Sequence, residues 1–179
     1  MTLDELAIKY GTDKSSLDHN YTEFYERYLP KNPKKILEIG VLTGASIRMW
    51  KEYFPEAEIH GLDLFEEHSE PDIEGVKWWK GSQTDPNILH LLRKENFDLI
   101  IDDGSHVSIH QLISFFSLYQ RGCYYFIEDV HANLEEFYRQ GLPEPLVIQN
   151  ILSRLSGYRF DCLTQKIMLC HIPAIPKVL

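Results

Sequence analysis

The chain shows two hydrophobic patterns. Near the N-terminus, apolar and aromatic residues recur every three or four positions, which is typical of one face of an amphipathic helix. This spacing predicts helices over Leu3–Tyr10 and Tyr21–Leu29, the first ended by Gly11 and the second by Pro30 and Pro33. From residue 35 onward, short apolar runs alternate with helical spacing, and such runs are typical of strands buried on both faces of a parallel sheet.

The order of these later segments is typical of a doubly wound α/β domain. Strands are predicted over Lys35–Ile39, Glu58–Leu64, Val76–Lys80, Phe97–Ile101, Cys123–Glu128, Tyr158–Leu163 and Lys166–His171. Helices are predicted over Ala45–Phe54, Pro86–Lys94, Ser108–Tyr119 and Leu146–Ser156. Because no helix separates the last two strands, we expect an antiparallel hairpin at the end of an otherwise parallel sheet.

Two of the predicted strands finish in a pair of acidic residues. Asp102 and Asp103 follow one apolar run, and Glu128 and Asp129 follow another. Carboxylates at the ends of parallel strands converge at one edge of the sheet, where they repel each other unless a positive charge lies among them. A divalent cation with oxygen ligands resolves this repulsion, and His106 follows closely enough to act as a base. The sequence therefore predicts a metal-assisted active site.

Length and composition restrict the class of protein. The 179 residues, 44% hydrophobic and 25% charged, fit one globular domain over 1–179 with a helical N-terminal segment at 1–33. The net charge of -9 disfavours nucleic acid as a partner. Charged residues interrupt the N-terminal apolar stretch, so we predict neither a signal peptide nor a membrane span and expect a cytoplasmic protein. Cys123, Cys162 and Cys170 lack C-x-x-C spacing and are interpreted as buried hydrophobic residues.

A glycine turn follows the first predicted strand. The sequence Glu38-Ile39-Gly40-Val41-Leu42-Thr43-Gly44 has neither the G-x-G-x-x-G nor the G-x-x-x-x-G-K-[ST] spacing of nucleotide-binding loops. Its E-x-G-x-x-x-G form resembles motif I of the class I S-adenosylmethionine-dependent methyltransferases. Asp63 ends the second strand, where that family places the acid that accepts both ribose hydroxyls. The resemblance implies S-adenosylmethionine as cofactor and a Rossmann-like sheet of seven strands; from the residues alone, a tight turn and a solvated acid are the alternative.

Four segments of the sequence indicate a narrower family among the methyltransferases. Together they resemble the metal-dependent sugar O-methyltransferases of macrolide and related glycoside pathways, and the related cephalosporin hydroxylase type family. The resemblance implies that Asp103, Glu128 and Asp129 bind magnesium and that His106 is the base. The resemblance also implies that the helical segment 1–33 serves as a lid for the cofactor or the substrate. The four segments are Lys9-Tyr10-Gly11-Thr12-Asp13-Lys14, His19-Asn20-Tyr21, Asp102-Asp103-Gly104-Ser105-His106 and Ile127-Glu128-Asp129.

The chemistry of the acidic residues agrees with this assignment. Carboxylates without a neighbouring cysteine are hard oxygen ligands, which favours Mg²⁺ or Mn²⁺ over zinc. Glu128 and Asp129 can both bind a metal only if the strand has ended, because side chains alternate faces along a strand. Asp102 is then the acid that is not a ligand, directed toward the core edge or the cofactor.

Further residues have two interpretations each. Ser82 and Gln83 end the third strand, where the methyltransferase fold usually contacts adenine, and solvated turn residues are the alternative. Lys14 and Tyr21 become cofactor contacts only through the resemblance. Two histidines, His110 and His131, are assigned to the substrate side of the site. His110 lacks the H-E-x-x-H context of a zinc ligand, so we expect a hydrogen-bonding neighbour, and His131 is a substrate contact or an exposed loop residue.

These predictions combine into one expected function. We expect an O-methyltransferase acting on a sugar hydroxyl, with a deoxysugar such as rhamnose in a glycan or glycoside as the acceptor. One alternative acceptor is a diol or catechol of a non-sugar natural product. A second alternative is a non-catalytic cofactor-binding partner subunit, although such a subunit does not need clustered carboxylates. A homo-oligomer is compatible with the sequence.

Overall fold

The computed structural model describes residues 1–66, 68–140, 151, 160–163 and 166–172. The α-helices in these ranges are α1 (Leu3–Tyr10), α2 (Tyr21–Tyr28), α3 (Ala45–Tyr53), α4 (Pro86–Arg93), α5 (Ser108–Leu118) and α6 (Glu136–Arg139), and a 3-10 helix spans Val130–Leu134. The strands are β1 (Lys35–Ile39), β2 (Glu58–Asp63), β3 (Val76–Lys80), β4 (Leu99–Asp102), β5 (Tyr124–Ile127), β6 (Phe160–Leu163) and β7 (Ile167–Cys170).

The strands form one sheet in the order β3-β2-β1-β4-β5-β7-β6. Neighbours from β3 to β5 are parallel, whereas β7 is antiparallel to both β5 and β6. This arrangement confirms the predicted α/β sheet, mostly parallel with an antiparallel pair from the C-terminal part of the chain. The strand order reverses at β1, which lies between β2 and β4. Ligands of such sheets bind beyond the carboxyl ends of the strands at this switch point.

The predicted elements differ from the observed ones mainly at their ends. β4 begins at Leu99 and extends to Asp102, so the first acid of that pair belongs to the strand. His131, for which an exposed loop position is one of the two interpretations, lies in the 3-10 helix, and α6 follows. Except for residue 151, the predicted helix over Leu146–Ser156 lies outside the described residues.

Helices pack on both faces of the sheet and create two hydrophobic clusters. One face is covered by α1, α2 and α3, whose buried residues include Leu3, Tyr25 and Trp50. The rings of Tyr25 and Trp50 lie 5.2 Å apart in an edge-on arrangement, a favourable geometry for aromatic pairs. The other face is covered by α4 and α5, including Leu92 and Phe115. The N-terminal helices are therefore part of the packed core.

The end of α1 directs the chain toward the carboxyl ends of the strands. A capping box between Thr2 and Glu5 begins the helix, and Gly11 ends it in a left-handed conformation with φ 69°. The next residues, Thr12 to Lys14, reach the switch point.

Two smaller findings concern the cysteines and the membrane. Cys123 and Cys170 are buried as predicted, while the side chain of Cys162 lies outside the described residues. In the part of the chain that the structure describes, no helix combines the length and the apolar character needed to cross a bilayer.

Candidate active site

The glycine turn after β1 lies directly against the end of β4. Asp103 donates its backbone N–H to the carbonyl of Ile39 at 2.9 Å. Gly40 has φ 86°, and a Cβ added there would lie 2.0 Å from the carbonyl oxygen of Asp103. Glycine is therefore required at this position both by its left-handed backbone and by the close approach of β4.

Asp63 holds the same turn from the other side. Its Oδ2 accepts hydrogen bonds from the backbone N–H groups of Val41 and Leu42, at 2.6 and 3.0 Å. Its Oδ1 accepts a longer bond of 3.3 Å from the N–H of Phe65. The carboxylate thus fixes the turn while lying at the edge of the cavity described next.

A cavity of about 460 Å³ opens at the switch point. This volume is within the range of small-molecule sites, about 300–1,000 Å³. Four segments line it: the loop after α1, the glycine turn, the loop after β2, and the ends of β4 and β5. The lining residues are Gly11, Thr12, Asp13, Lys14, Gly40, Val41, Leu42, Thr43, Ala45, Ser46, Asp63, Leu64, Phe65, Glu66, His68, Asp103, Gly104, His106 and Asp129.

Lys14 is a fully buried cation among three carboxylates. Its Nζ lies 2.5 Å from Asp103 Oδ2, 2.7 Å from Glu128 Oε2 and 3.8 Å from Glu38 Oε1. Burial alone lowers the pKa of a lysine, but the attraction of Asp103, Glu128 and Glu38 outweighs it and raises the pKa of Lys14 well above its usual value. Lys14 is therefore charged at neutral pH.

One ammonium group cannot balance all of these acids. Burial raises the pKa of Glu38 to about 7, although Lys14 opposes the rise. Burial, reinforced by the charge of Asp103, raises the pKa of Glu128 as well. Among the described residues, Glu38 Oε1 has no hydrogen-bond partner. The site consequently favours a further positive charge, supplied by protons or by a bound cation.

Two tyrosines of α2 bind the acids that follow β5. Tyr25 donates its hydroxyl to Glu128 Oε1, and Tyr21 donates to Asp129 Oδ1 at 2.5 Å. Burial raises the pKa of both phenols, so both remain protonated donors. Tyr25 is a functional contact that the sequence analysis missed, because its spacing indicates only one face of an amphipathic helix. The available signal was its position one helical turn after Tyr21.

Asp103, His106 and Asp129 come together at the wall of the cavity. Each offers a ligand atom, and these atoms lie within 4.8 Å of one another. His106 Nε2 is 3.7 Å from Asp129 Oδ2. His106 and Asp129 have φ of 57° and 51°, a left-handed conformation that is uncommon outside glycine and is concentrated at functional sites. The two carboxylates suit a divalent cation with the imidazole beside it, while the oxygens of Glu128 face Lys14 and Tyr25.

The other predicted site residues lie beside the cavity without lining it. Asp102 is fully buried, and burial raises its pKa to about 7. Gln83 is buried beside it, whereas Ser82 bonds to Thr84 at 2.9 Å. Gly44 precedes the first turn of α3 in a left-handed conformation.

The two predicted substrate histidines differ in their surroundings. His110 lies on the first turn of α5, where its Nδ1 is 2.9 Å from the hydroxyl of Ser105. The His131 side chain is 44% exposed, and its Nδ1 is 3.7 Å from Asp129 Oδ1.

No protein-family model matches the chain. Among curated proteins it is 36% identical over 143 residues to an 8-demethyl-8-(2-methoxy-alpha-L-rhamnosyl)-tetracenomycin-C 3'-O-methyltransferase of Streptomyces olivaceus, a match that covers 72% of this chain and 36% of the relative. It is also 36% identical to mycinamicin VI 2''-O-methyltransferase of Micromonospora griseorubida, with the same shares covered. The chain thus spans well under half the length of these relatives.

Solved structures give a consistent result. The mycinamycin-pathway methyltransferase MycE, solved in complex with Mg and SAH, aligns with a TM-score of 0.60 and 27% identity over 98% of this chain and 51% of the MycE chain. An O-methyltransferase from Bacillus cereus in complex with SAH aligns with a TM-score of 0.57 at 17% identity, over 95% of this chain and 90% of that one, which supports the fold alone. The resemblance inferred from the four sequence segments is confirmed.

Proposed function

We propose that this chain, a homologue of the sugar O-methyltransferases, transfers a methyl group from S-adenosylmethionine to a sugar hydroxyl with the help of a divalent cation. One observation carries the proposal. A single cavity has the glycine turn and Asp63 on one side and the cluster of Asp103, His106 and Asp129 on the other. A methyl donor and a metal-oriented acceptor need such adjacent subsites, because the reacting atoms must be held in contact and in line.

The cofactor side of the cavity fits S-adenosylmethionine. Gly40 and Asp63 both line the cavity, and Asp63 offers Oδ1 beside the glycine turn. The unpartnered Oε1 of Glu38 is a buried acceptor suited to a cationic group such as the ammonium of the cofactor. MycE, aligned over 98% of this chain, was solved with SAH and Mg. We therefore assign Glu38, Gly40, Gly44 and Asp63 to cofactor binding.

The acidic side of the cavity fits a divalent cation, with Mg²⁺ or Mn²⁺ as the proposed metal. Asp103 and Asp129 are the ligands that face the cavity, and Glu128 completes the ligand set implied by the resemblance. Lys14, Tyr21 and Tyr25 already hold these carboxylates, so the ligands are positioned before the metal arrives. Such preorganisation lowers the cost of assembling the site.

The reaction divides between the bound groups and the residues of the chain. When bound, the cofactor supplies a methyl group on a sulfonium, and the cation lowers the pKa of the acceptor hydroxyl. His106 accepts the hydroxyl proton at its imidazole. Tyr21 holds Asp129 next to that imidazole, and Lys14 holds Asp103 through an ion pair of 2.5 Å. No covalent intermediate with the protein is needed.

The acceptor is proposed from homology. The relatives are named for rhamnosyl, olivosyl and mycinamicin acceptors, which suggests a deoxysugar of a glycan or glycoside. We propose that residues 1–179 form one methyltransferase domain with a seven-stranded sheet. Within the 1–33 segment, the loop after α1 lines the site. A cytoplasmic location, a homo-oligomer and the absence of nucleic-acid or membrane partners remain predictions.

Two linked measurements test this proposal. Calorimetry with S-adenosylmethionine, with and without Mg²⁺, should show cofactor binding. Mass spectrometry after incubation with rhamnosides, other sugars and catechols should show a mass gain of one methyl group on a sugar that a chelator prevents. His106→Ala should lose most of this transfer, whereas the control His90→Ala, at an exposed histidine on α4, should retain it. Lack of cofactor binding refutes the methyltransferase, transfer to catechols alone refutes the sugar acceptor, and full activity in a chelator refutes the metal.

A further inference from the structure

The loop that carries His106 is fixed by a side chain from another loop. The loop spans Gly104 to Val107 between β4 and α5. Ser105 donates its backbone N–H to Gln83 Oε1 at 2.7 Å. Gln83 comes from the loop between β3 and α4 and is only 7% exposed. A buried amide in contact with this backbone is well placed to control the loop conformation.

Hydrogen bonds at both ends of the amide fix the orientation of Gln83. A backbone N–H only donates, so the atom that faces Ser105 must be the carbonyl oxygen. The Nε2 group donates to Asp102 Oδ1 at 3.2 Å and to Ser114 Oγ at 3.0 Å. Asp102 is itself held by the hydroxyl of Tyr125 at 2.9 Å. The amide thus joins the end of β4 to the loop that follows it.

Gly104 shows how closely Gln83 approaches this loop. A Cβ added at Gly104 would lie 2.3 Å from Gln83 Oε1. Gly104 is not one of the glycines with positive φ, so its backbone accepts other residues. What requires glycine here is therefore the contact with Gln83.

The hydroxyl of Ser105 provides a second attachment. It lies 2.9 Å from His110 Nδ1 and accepts a long bond of 3.4 Å from the N–H of Val107. Ser105 and Val107 are the two neighbours of His106, whose φ is 57°. The strained residue is therefore held on both sides by bonds that converge on Ser105.

We propose that Gln83, Ser105 and His110 form a clamp that positions His106. The inference rests on the proposed function, in which His106 is the base, and it gives Gln83 and His110 roles other than adenine and substrate contact. Misplacing a catalytic group by about 1 Å costs about 10²-fold in rate, so a loose clamp is expected to reduce turnover strongly. The residues of the clamp are positioning residues, because none of them touches the reacting atoms.

Substitutions at Gln83 and Gly104 test the clamp. Gln83→Ala removes the acceptor of the Ser105 amide, so hydrogen exchange in a peptide over 103–107 should become about tenfold faster, the effect of about one hydrogen bond. We expect kcat to fall by about 10²-fold while the KM of the acceptor and the affinity for S-adenosylhomocysteine change by less than about threefold. Gln120→Ala is the matched control, because its Nε2 bonds the carbonyl of Arg93 far from the loop.

A double variant separates the clamp from general destabilisation. Gly104→Ala should displace Gln83 and reproduce the loss of kcat. Because Gln83→Ala removes the clashing atoms, the double variant should be no slower than Gln83→Ala alone, whereas independent effects would multiply. At the second attachment, His110→Asn keeps a polar atom near the position of Nδ1 and should retain most of the activity that His110→Ala loses.

Each outcome decides the proposal. Unchanged exchange in Gln83→Ala, or faster exchange with unchanged kcat, overturns the clamp. Weaker cofactor binding with unchanged exchange assigns Gln83 to adenine instead. If the wild-type chain methylates no acceptor, the proposed function fails but the clamp can still be tested. Hydrogen exchange in the 103–107 peptide and the NMR resonances of the His106 ring should both change in Gln83→Ala. If neither changes, the clamp is refuted.

Discussion

The burial of Lys14 leads to a quantitative prediction for the variant Lys14→Met. Methionine has a similar length and no charge, so the substitution leaves Asp103, Glu128 and Glu38 without the ammonium group that contacts them. Removing one partner of a buried ion pair typically costs about 3–5 kcal/mol. The Lys14 side chain is 1% exposed, so solvent screening does not reduce this value. We expect the free energy of unfolding at neutral pH to fall by that amount.

The dependence of this loss on pH follows from the pKa of the carboxylates. A carboxyl whose pKa is raised in the folded state binds more protons when folded, so its contribution to stability is fully present below the unfolded pKa and is lost as pH rises through the folded pKa. Glu38 already has a pKa of about 7 with Lys14 present, and removing Lys14 raises the pKa of Glu38 further. The difference between variant and wild type should therefore shrink from about pH 8 to about pH 5.

Urea unfolding followed by circular dichroism measures both effects. The matched control is Lys9→Met, which removes an exposed 2.5 Å ion pair with Glu52 and should cost far less, because solvent screens an exposed pair. Glu128→Gln combined with Lys14→Met should recover part of the loss, because it also removes one uncompensated charge. The reasoning is refuted if Lys14→Met costs no more than Lys9→Met, or if its cost grows as the pH falls.

Four further substitutions test other parts of the site. His106→Ala should lower kcat by about 10²- to 10⁴-fold, the usual contribution of a general base, and a loss under about tenfold contradicts that role. Asp103→Ala should abolish turnover, as a chelator does, while calorimetry still detects cofactor binding. Asp63→Ala should weaken S-adenosylhomocysteine binding at least about tenfold, because it frees the glycine turn and removes an acceptor for ribose. Gly40→Ala should lower the melting temperature more than Gly11→Ala, since both have positive φ but only Gly40 has backbone within 4 Å of the added Cβ, and equal losses would disprove this argument.

The fold could be predicted because its central strands are buried on both faces. All four residues of β4 are buried, and such an apolar run between turn residues identifies a strand without further information. The contacts of Lys14 could not be predicted in this way. Its partners Asp103 and Glu128 lie 89 and 114 residues further along the chain, and a polar loop carries no periodic signal for such distant pairs. The same holds for Gln83, whose partner Ser105 lies 22 residues away.

The different positions of the two acids in each pair could be seen only in the structure. In each pair the first acid is buried and the second lines the cavity: Asp102 and Glu128 are buried, whereas Asp103 and Asp129 face the cavity. β5 ends at Ile127, as joint metal binding by Glu128 and Asp129 requires. The inner acids bind protein groups: Glu128 contacts Lys14, which also contacts Asp103, and Asp102 contacts Gln83. Lys14 thus holds the proposed ligands Asp103 and Glu128, and Gln83 holds the loop of the proposed base, which is why removing Lys14 or Gln83 should disturb a metal and a base that neither residue would contact directly.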